Sequence, residues 1–357
     1  MSASLFDHLQ IRSLDIPNRV WVSPMCQYSA VDGIVGQWHQ VHLGAFATGG
    51  AGLIFVEATG VVPEGRISIG CPGIWSDPQA EAFRPIVDFA HSMGSKIGIQ
   101  LAHAGRKAST MRPWDDHLMA EKSEGGWQSV APSPIAFHGM QVPKQLSVSD
   151  ITELTQSFVA AAKRAITVGF DVIEIHAAHG YLFHQFMSPI TNQRTDEYGG
   201  DFEGRTRFVC EVAQAVRASI PEKMPLFVRI SASDWVEGGW GIEDSILLSR
   251  KLKNLGIDLI DVSSGGLVHD AKVQVGPGYQ VPFSEAIKRE VDILTSAVGL
   301  ITEVNQAEEI VASGKSDAVM LARAMLRNPR WALDAAEKLG IRIPWPVQYE
   351  RARTMIG

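Results

Sequence analysis

The chain of 357 residues predicts an α/β fold, a (β/α)8 TIM barrel organised as a single domain over residues 1–357. Three observations lead there. Eight short runs rich in Val, Ile and Leu read as buried parallel strands, at 19–22, 52–57, 96–101, 170–175, 226–230, 258–262, 292–296 and 317–321. Longer amphipathic segments separate most of them, among them 149–168, 203–219, 242–255 and 303–312. Polar residues and glycines gather after the runs, the end at which such a barrel carries its active site.

Composition narrows the function. The hydrophobic content of 45% supplies a large core. Thirty-two basic against 39 acidic residues leave a net charge of −7. That balance speaks against a nucleic-acid-binding surface, which needs a basic patch. Cys26, Cys71 and Cys210 are widely spaced, with no C-x-x-C pair. Neither an iron–sulfur cluster nor a zinc site is expected, and the low cysteine density fits a reducing, cytoplasmic location. The N-terminus has no secretory signal pattern, and no apolar run approaches the ~20 residues of a membrane span, so no membrane association is expected.

Each strand end contributes chemistry in turn. The first run leads into Ser23, Pro24, Met25, Cys26, Gln27 and Tyr28, and the second into Ala58, Thr59 and Gly60. The third ends at Gln100 and continues to His103-Ala-Gly-Arg-Lys107. The fourth leads into His176-Ala-Ala-His179-Gly-Tyr181, and the fifth holds Arg229. The sixth ends in Ser263, Ser264, Gly265 and Gly266, the seventh in Val298 and Gly299, and the eighth in Ala322 and Arg323. Two segments break this rhythm. Residues 107–145, rich in Trp and Pro, are too long for a plain connection and read as a lid or insert. Residues 343–357 form an apolar, aromatic tail, not helical over 343–351, expected to dock on its own barrel or on a neighbouring subunit.

Two imidazoles and a phenol at one strand mouth can grip a carbonyl-type oxygen and deliver a proton beside it. The alternatives are a pair of satisfied core histidines, or a His-x-x-His metal site, for which no third ligand with suitable spacing is present. The last two strand ends suit a phosphate: Gly299 permits close backbone approach, and Arg323 can pair with phosphate oxygens. Arg229 stands in an apolar strand and needs an accepting partner. With Gln100 it matches a flat heteroaromatic ring bearing carbonyls and nitrogens. A structural ion pair with Glu57 or Glu174 is the other reading. Cys26 is either a small buried hydrophobe or a group beside a cofactor. A G-x-G-x-x-G fingerprint is absent, so a nicotinamide cofactor would bind transiently over the mouth.

These stretches together resemble the Old Yellow Enzyme family of FMN-dependent ene-reductases, most closely its thermophilic-like branch with the xenobiotic reductases. The likeness runs from Asn18-Arg19 to Gln348-Tyr-Glu-Arg351, and also takes in Asn192-Gln-Arg-Thr-Asp-Glu-Tyr-Gly-Gly200 and Val228-Arg-Ile-Ser-Ala-Ser-Asp234. It implies tightly bound FMN, lined by Ser23, Pro24, Met25 and Cys26, with Cys26 tuning its potential. Ala58, Gln100 and Arg229 would meet the isoalloxazine ring, and Ser264, Gly265, Gly299, Ala322 and Arg323 the ribityl phosphate. His176 and His179 would hold the substrate oxygen, Tyr181 would donate the proton, and Tyr28 would touch substrate. NADPH or NADH would supply hydride in a ping-pong cycle that reduces enones and related electrophilic alkenes. Arg351 would reach a neighbouring subunit's site, which implies a homodimer or homotetramer. Two departures stand out. Ala322 replaces a glycine common in relatives, which is tolerable where its φ is negative. The 107–145 segment is longer than the matching loop of some relatives.

The residues leave three rival readings open. A flavin-free, phosphate-binding lyase or isomerase barrel would leave Arg229, Gln100 and Cys26 unexplained. A non-catalytic flavin-binding protein would be yellow but inert toward enones. A flavin enzyme acting on tRNA conflicts with the acidic charge.

Overall fold

The computed structural model describes residues 3–353. Eight strands form the barrel: β1 (Val20–Val22), β2 (Leu53–Gly60), β3 (Lys96–Ala102), β4 (Val172–Ala177), β5 (Leu226–Ser231), β6 (Leu259–Ser263), β7 (Leu294–Ala297) and β8 (Ala318–Leu321). They pair in parallel and in chain order, and β8 returns to β1 through Val319–Val20 and Leu321–Val22. All eight predicted runs are strands. The second runs further than its apolar pattern indicated. A register shift between Val56 and Ala58 leaves Glu57 unpaired and lets the strand continue to Gly60. A bulge of this kind adds a residue without ending the ladder.

Side chains alternate across each strand, so one set faces the helices and the other fills the barrel. Ile54, Ile97, Ile173, Val228, Ile260 and Val319 belong to the large helix-facing core. Trp21, Leu53, Phe55, Val172, Phe227, Leu259 and Met320 form a separate apolar cluster inside. Phe227 lies between Trp21 and Phe55, with centroids 6.0 and 6.1 Å away. The antiparallel hairpin Leu9–Ile11 and Leu14–Ile16 adds Leu9, Ile11 and Ile16 to that cluster and closes the bottom of the barrel. The interior is therefore apolar near the N-terminal ends of the strands. Polar chemistry is confined to the other end.

The helix that delivers β4 shows how local sequence sets this geometry. It spans Val148–Val168 and starts at Ser147, whose Oγ accepts the Asp150 amide at 3.1 Å. Asp150 returns the bond to the Ser147 amide at 2.8 Å. Such a reciprocal cap is worth about 1 kcal/mol. Ile151, Leu154, Phe158, Ala161, Ala165 and Val168 make its buried stripe. Gly169, at φ 98°, stops the helix in a conformation costly to other residues. The chain then turns directly into β4, which ends beside the two histidines.

Residues 107–145 are not without internal structure. They hold a 3₁₀ turn at Lys122–Glu124 and a short parallel pairing of Val130–Ala131 with Lys144–Gln145. The Trp127 indole donates to the Glu64 carbonyl at 2.8 Å, which fastens the segment to the end of β2. The tail differs from expectation: Val347–Ala352 form a 3₁₀ turn after Pro346. Ile341 and Ile343 pack on the core, Arg330 lies 4.5 Å over the Tyr349 ring, and Arg353 donates to the Ile343 carbonyl at 2.6 Å. The tail thus rests on its own barrel beside the helix Trp331–Lys338. The stretch 354–357 of the expected tail lies outside the described residues. Among the described residues, no helix is long and apolar enough to cross a membrane.

Gly98 makes room for the barrel's aromatic filling. A Cβ there would meet the Phe55 ring at 2.6 Å. Gly98→Ala is expected to destabilise the protein by about 1–3 kcal/mol through overpacking. Urea unfolding of both proteins measures this; equal midpoints would show that the ring can move aside.

Candidate active site

A single register row builds the floor of the site. His176 of β4 pairs with Arg229 of β5, Arg229 with Asp261 of β6, and Asp261 with Ser296 of β7. Residues level with one another on parallel strands point the same way, here into the barrel. The Arg229 Nε lies 2.8 Å from Asp261 Oδ2, and the Ser296 hydroxyl donates to Asp261 Oδ1 at 2.9 Å. The sequence pointed to Glu57 or Glu174 as a carboxylate partner; the structure gives Asp261. Gln100 of β3 instead donates to Glu174 Oε1 at 2.8 Å. Burial, and then the Asp261 charge, push Glu174 up to about 8. Burial likewise raises Asp261, and the Arg229 charge opposes that rise.

Above this floor stand His176, His179 and Tyr181. The His176 ring centroid lies 5.2 Å from that of His179 and 5.1 Å from that of Tyr181, both nearly edge-on. Burial drives both histidines well below their usual range, helped by the Arg229 charge. They are neutral at physiological pH. The Ala178 amide donates to His176 Nδ1 at 3.3 Å, so the ring proton sits on Nε2, free to be donated. His179 has φ 58°, and its amide is held by Ser231 Oγ at 2.9 Å. Its Nε2 lies 2.7 Å from Ser263 Oγ. A Cβ on Gly180 would meet the Gly266 carbonyl oxygen at 2.2 Å, and one on Gly266 would meet the His179 Cα at 2.7 Å. Both glycines therefore serve close approach, and both take positive φ. Burial holds the Tyr181 phenol protonated, well above its usual range.

Cys26, Tyr28, Ala58 and Tyr181 share one small apolar cluster with Ala102 and Cys71. Ser23 binds its amide to the Leu321 carbonyl at 3.0 Å, tying the first strand's mouth to the eighth's. Met25 packs against the main core. Cys26, next in the chain after Pro24 and Met25, thus lies above β1. Trp114 of the 107–145 segment stands edge-on to Tyr28 at 5.9 Å.

The predicted phosphate residues also meet. Gly299, Ala322 and Arg323 line a cleft of about 150 Å³ with Ser263, Tyr279 and Gln280. Ser264 joins them by donating to Gln280 Oε1 at 2.6 Å, and the Gln280 amide donates to the Val298 carbonyl at 2.8 Å. Gly265, at φ 72°, accepts the Ser231 hydroxyl at 2.9 Å on its carbonyl. A Cβ on Gly299 would fall 2.9 Å from Gln280 Nε2. Ala322 has φ −104°, so its methyl carries no left-handed strain. Arginine, hydroxyls and a glycine wall suit a phosphate ester. Arg229, Gln100 and the thiol above suit the ring of a flavin, so the residues present fit FMN. Arg351 lies exposed on the tail's 3₁₀ turn.

Several site residues escaped the sequence reading. Lys107 donates to the carbonyls of His179 (2.9 Å) and Gly266 (3.0 Å), and its ammonium lies 5.1 Å from the Tyr181 ring centroid. Burial, then Arg106, lower it to about 8. Arg106 binds the Ile135, Ala136 and Leu267 carbonyls, which joins the 107–145 segment to the loop after β6. Both follow the third strand in a stretch the sequence did mark as polar. Asp261 carried a usable signal, an acid inside an apolar run. Gln280 and Tyr279 carried none.

The family profile described as NADH:flavin oxidoreductase / NADH oxidase matches residues 4–341. The NADPH dehydrogenase of Geobacillus sp. (strain WCH70) is 48% identical over 354 residues, covering 98% of this chain and 99% of that protein. That of Bacillus subtilis (strain 168) is 46% identical over 354 residues, with the same coverage of each. Among solved structures, the old yellow enzyme homologue from Zymomonas mobilis aligns with a TM-score of 0.78 at 29% identity, over 97% of this chain and 95% of that one. The chain belongs to the NADH:flavin oxidoreductase / NADH oxidase family, that of the Old Yellow Enzymes. It is an FMN-dependent oxidoreductase that takes its electrons from NAD(P)H.

His103, at the top of β3, is buried, and its Nδ1 accepts the Gly105 amide at 3.0 Å. Burial pushes it down to about 3. The unfolded chain takes up that proton near pH 6.5, so stability is lost as pH falls below 6.5, by up to about 1.4 kcal/mol per unit for each such histidine. Urea unfolding at about pH 7 and about pH 5 should show this loss, and His103→Gln should reduce it. An unchanged pH slope in the variant would contradict the assignment.

Proposed function

We propose that the protein is an ene-reductase that reduces the activated C=C bond of α,β-unsaturated carbonyls and related electrophilic alkenes. The observation that carries this reading is the cluster of two neutral imidazoles and one protonated phenol at the barrel mouth. The names of the Geobacillus and Bacillus relatives favour NADPH over NADH as donor. On this reading Ser23, Pro24, Met25, Cys26, Ala58, Gln100 and Arg229 face the flavin ring. Ser264, Gly265, Gly299, Ala322 and Arg323 hold its phosphate. Residues 1–357 act as one cytoplasmic domain, with 107–145 as the lid over the pocket.

FMN held by these residues would supply the hydride chemistry between NAD(P)H and the alkene. The protein does the rest. His176 donates from Nε2 to the substrate oxygen, and His179 joins it once Ser263 yields that contact. Negative charge grows on this oxygen as hydride reaches the β-carbon. Fixed donors in a site shielded from water stabilise that charge, each worth about 10²–10³ in rate. Tyr28 borders the substrate. Tyr181 gives its proton to the α-carbon. Its raised pKa keeps the phenol loaded across the physiological range. The Arg229–Asp261 pair keeps the imidazole floor level and the positive charge placed.

Tyr181→Phe should slow the cyclohexenone half-reaction by about 10²–10⁴ and affect the NADPH half-reaction far less. Stopped-flow absorbance of the flavin follows both. An enone half-reaction at wild-type speed would remove Tyr181 as the acid. Arg351 carries a second expectation: it enters the site of a neighbouring subunit in a homodimer or homotetramer. Truncation before Tyr349 should raise KM for the enone and loosen assembly in light scattering. A fully active, monomeric truncated protein would refute it.

A further inference from the structure

Through Cys26, which faces the flavin on the reading above, the site adjoins two buried groups that the reaction does not use, Glu57 and Cys71. Cys26 comes from the segment after β1, Glu57 from the bulge in β2, and Cys71 from the loop after β2. The two sulfurs and a Glu57 carboxylate oxygen all lie within 4.8 Å of one another. Glu57 and Cys71 are buried, at 3% and 0% exposure. Cys26 and Cys71 are both free thiols, close enough for a hydrogen bond between them.

These groups repel each other's ionisation. The Cys71 bond, burial, and then the charges of Cys71 and Glu57 raise Cys26. Burial raises Glu57. Arg66, whose charge Cys71 favours, is held elsewhere: its guanidinium lies over the Trp75 and Trp127 rings at 5.3 and 4.8 Å and donates to the Pro63 and Ile69 carbonyls. The carboxylate is already aimed. Gln27 N–H donates to Glu57 Oε2 at 2.9 Å, and His39 Nε2 lies 3.3 Å from Oε1. His39 is 1% exposed, and its own Nδ1 is fixed by the Gly36 amide at 3.2 Å.

We propose that Cys26, Glu57 and Cys71 form a binding site for a thiophilic divalent cation of the zinc class. Two sulfurs and one carboxylate oxygen are a common three-ligand set for such an ion, with a fourth position left for water. A bound cation displaces the protons and turns mutual repulsion into shared attraction. The Tyr28 hydroxyl lies within hydrogen-bonding reach of Cys26. Gln27 and His39 supply the outer bonds that orient a ligating carboxylate. The site shares Cys26 with the proposed flavin wall, and its test does not depend on the assignment of substrate and proton donor.

The test is titration of the FMN-loaded protein with Cd²⁺, without oxygen or chelators, read as the ultraviolet thiolate-to-cadmium band and as proton release. One equivalent should bind with both signals. Cys71→Ser should abolish the band and weaken binding by more than about 10²-fold, beyond the cost of losing an outer-sphere contact. Cys210→Ser should keep both signals. Absence of the band, or a band that survives in Cys71→Ser, overturns the proposal. Should Cys71→Ser fail to fold, the cadmium K-edge spectrum of the wild-type protein decides. Two sulfur neighbours support the site, and a shell of nitrogen and oxygen alone overturns it.

Discussion

The buried ion pair between Arg229 and Asp261 is the constraint around which the barrel mouth is arranged. A guanidinium inside a closed barrel is tolerable only with a paired, hydrogen-bonded partner. Asp261 provides the charge, and Ser296 satisfies its other oxygen. Because the three sit level on β5, β6 and β7, the pair also fixes where each strand stands against the next. His176 occupies the same level on β4. The position of the His176 imidazole is thus inherited from an electrostatic requirement two strands away. Below this level, apart from the Gln100–Glu174 pair, the barrel is aromatic and aliphatic, so the positive charge lies at a boundary between a dry floor and a polar mouth.

A second layer of cations secures the roof. Arg106 and Lys107 are adjacent in sequence, yet they reach different neighbours. Arg106 takes carbonyls from the 107–145 segment and from the loop after β6, while Lys107 caps carbonyls at His179 and Gly266. Neither spends its charge on a carboxylate within the site. Burial first, then the Arg229 charge, and with them the Lys107 ammonium, lower the proton affinity of both histidines. Neutral donors, rather than imidazolium ions, are the result. Such donors fit an oxygen that acquires charge only during reaction.

Most of the architecture was legible because the signals were local. An apolar run of four to six residues marks a parallel strand, and the polar residues directly after it mark the mouth. That logic placed His176, His179, Tyr181, Gly299 and Arg323 at the right end of the barrel. Asp261 was legible in principle, since an acid in an apolar strand asks for a partner just as Arg229 does. The Glu57 bulge was not, because it depends on the register of β2 against β3. Nor was the meeting of Cys26 with Cys71, which closure of the barrel produces and no spacing records. The two-residue strands within 107–145 are too short to leave a periodic trace. The 3₁₀ turn of the tail follows Pro346 and buries none of its own residues, so it left no pattern either.

The contact of Gly180, Gly266 and His179 has a bearing on how this catalyst can change. Two backbone segments touch there with no room for even a methyl group. His179 is held in a left-handed conformation by that contact and by Ser231. Nothing at this point can be enlarged, rotated or shifted in small steps. This corner of the barrel mouth is in effect a frozen part. Diversification of substrate range has to come from elements that tolerate trial and error, and Trp114, exposed on the long segment beside Tyr28, is such an element. Chemistry and selectivity therefore sit on portions of the chain with opposite freedom to vary: one evolves by being left alone, the other by being rewritten.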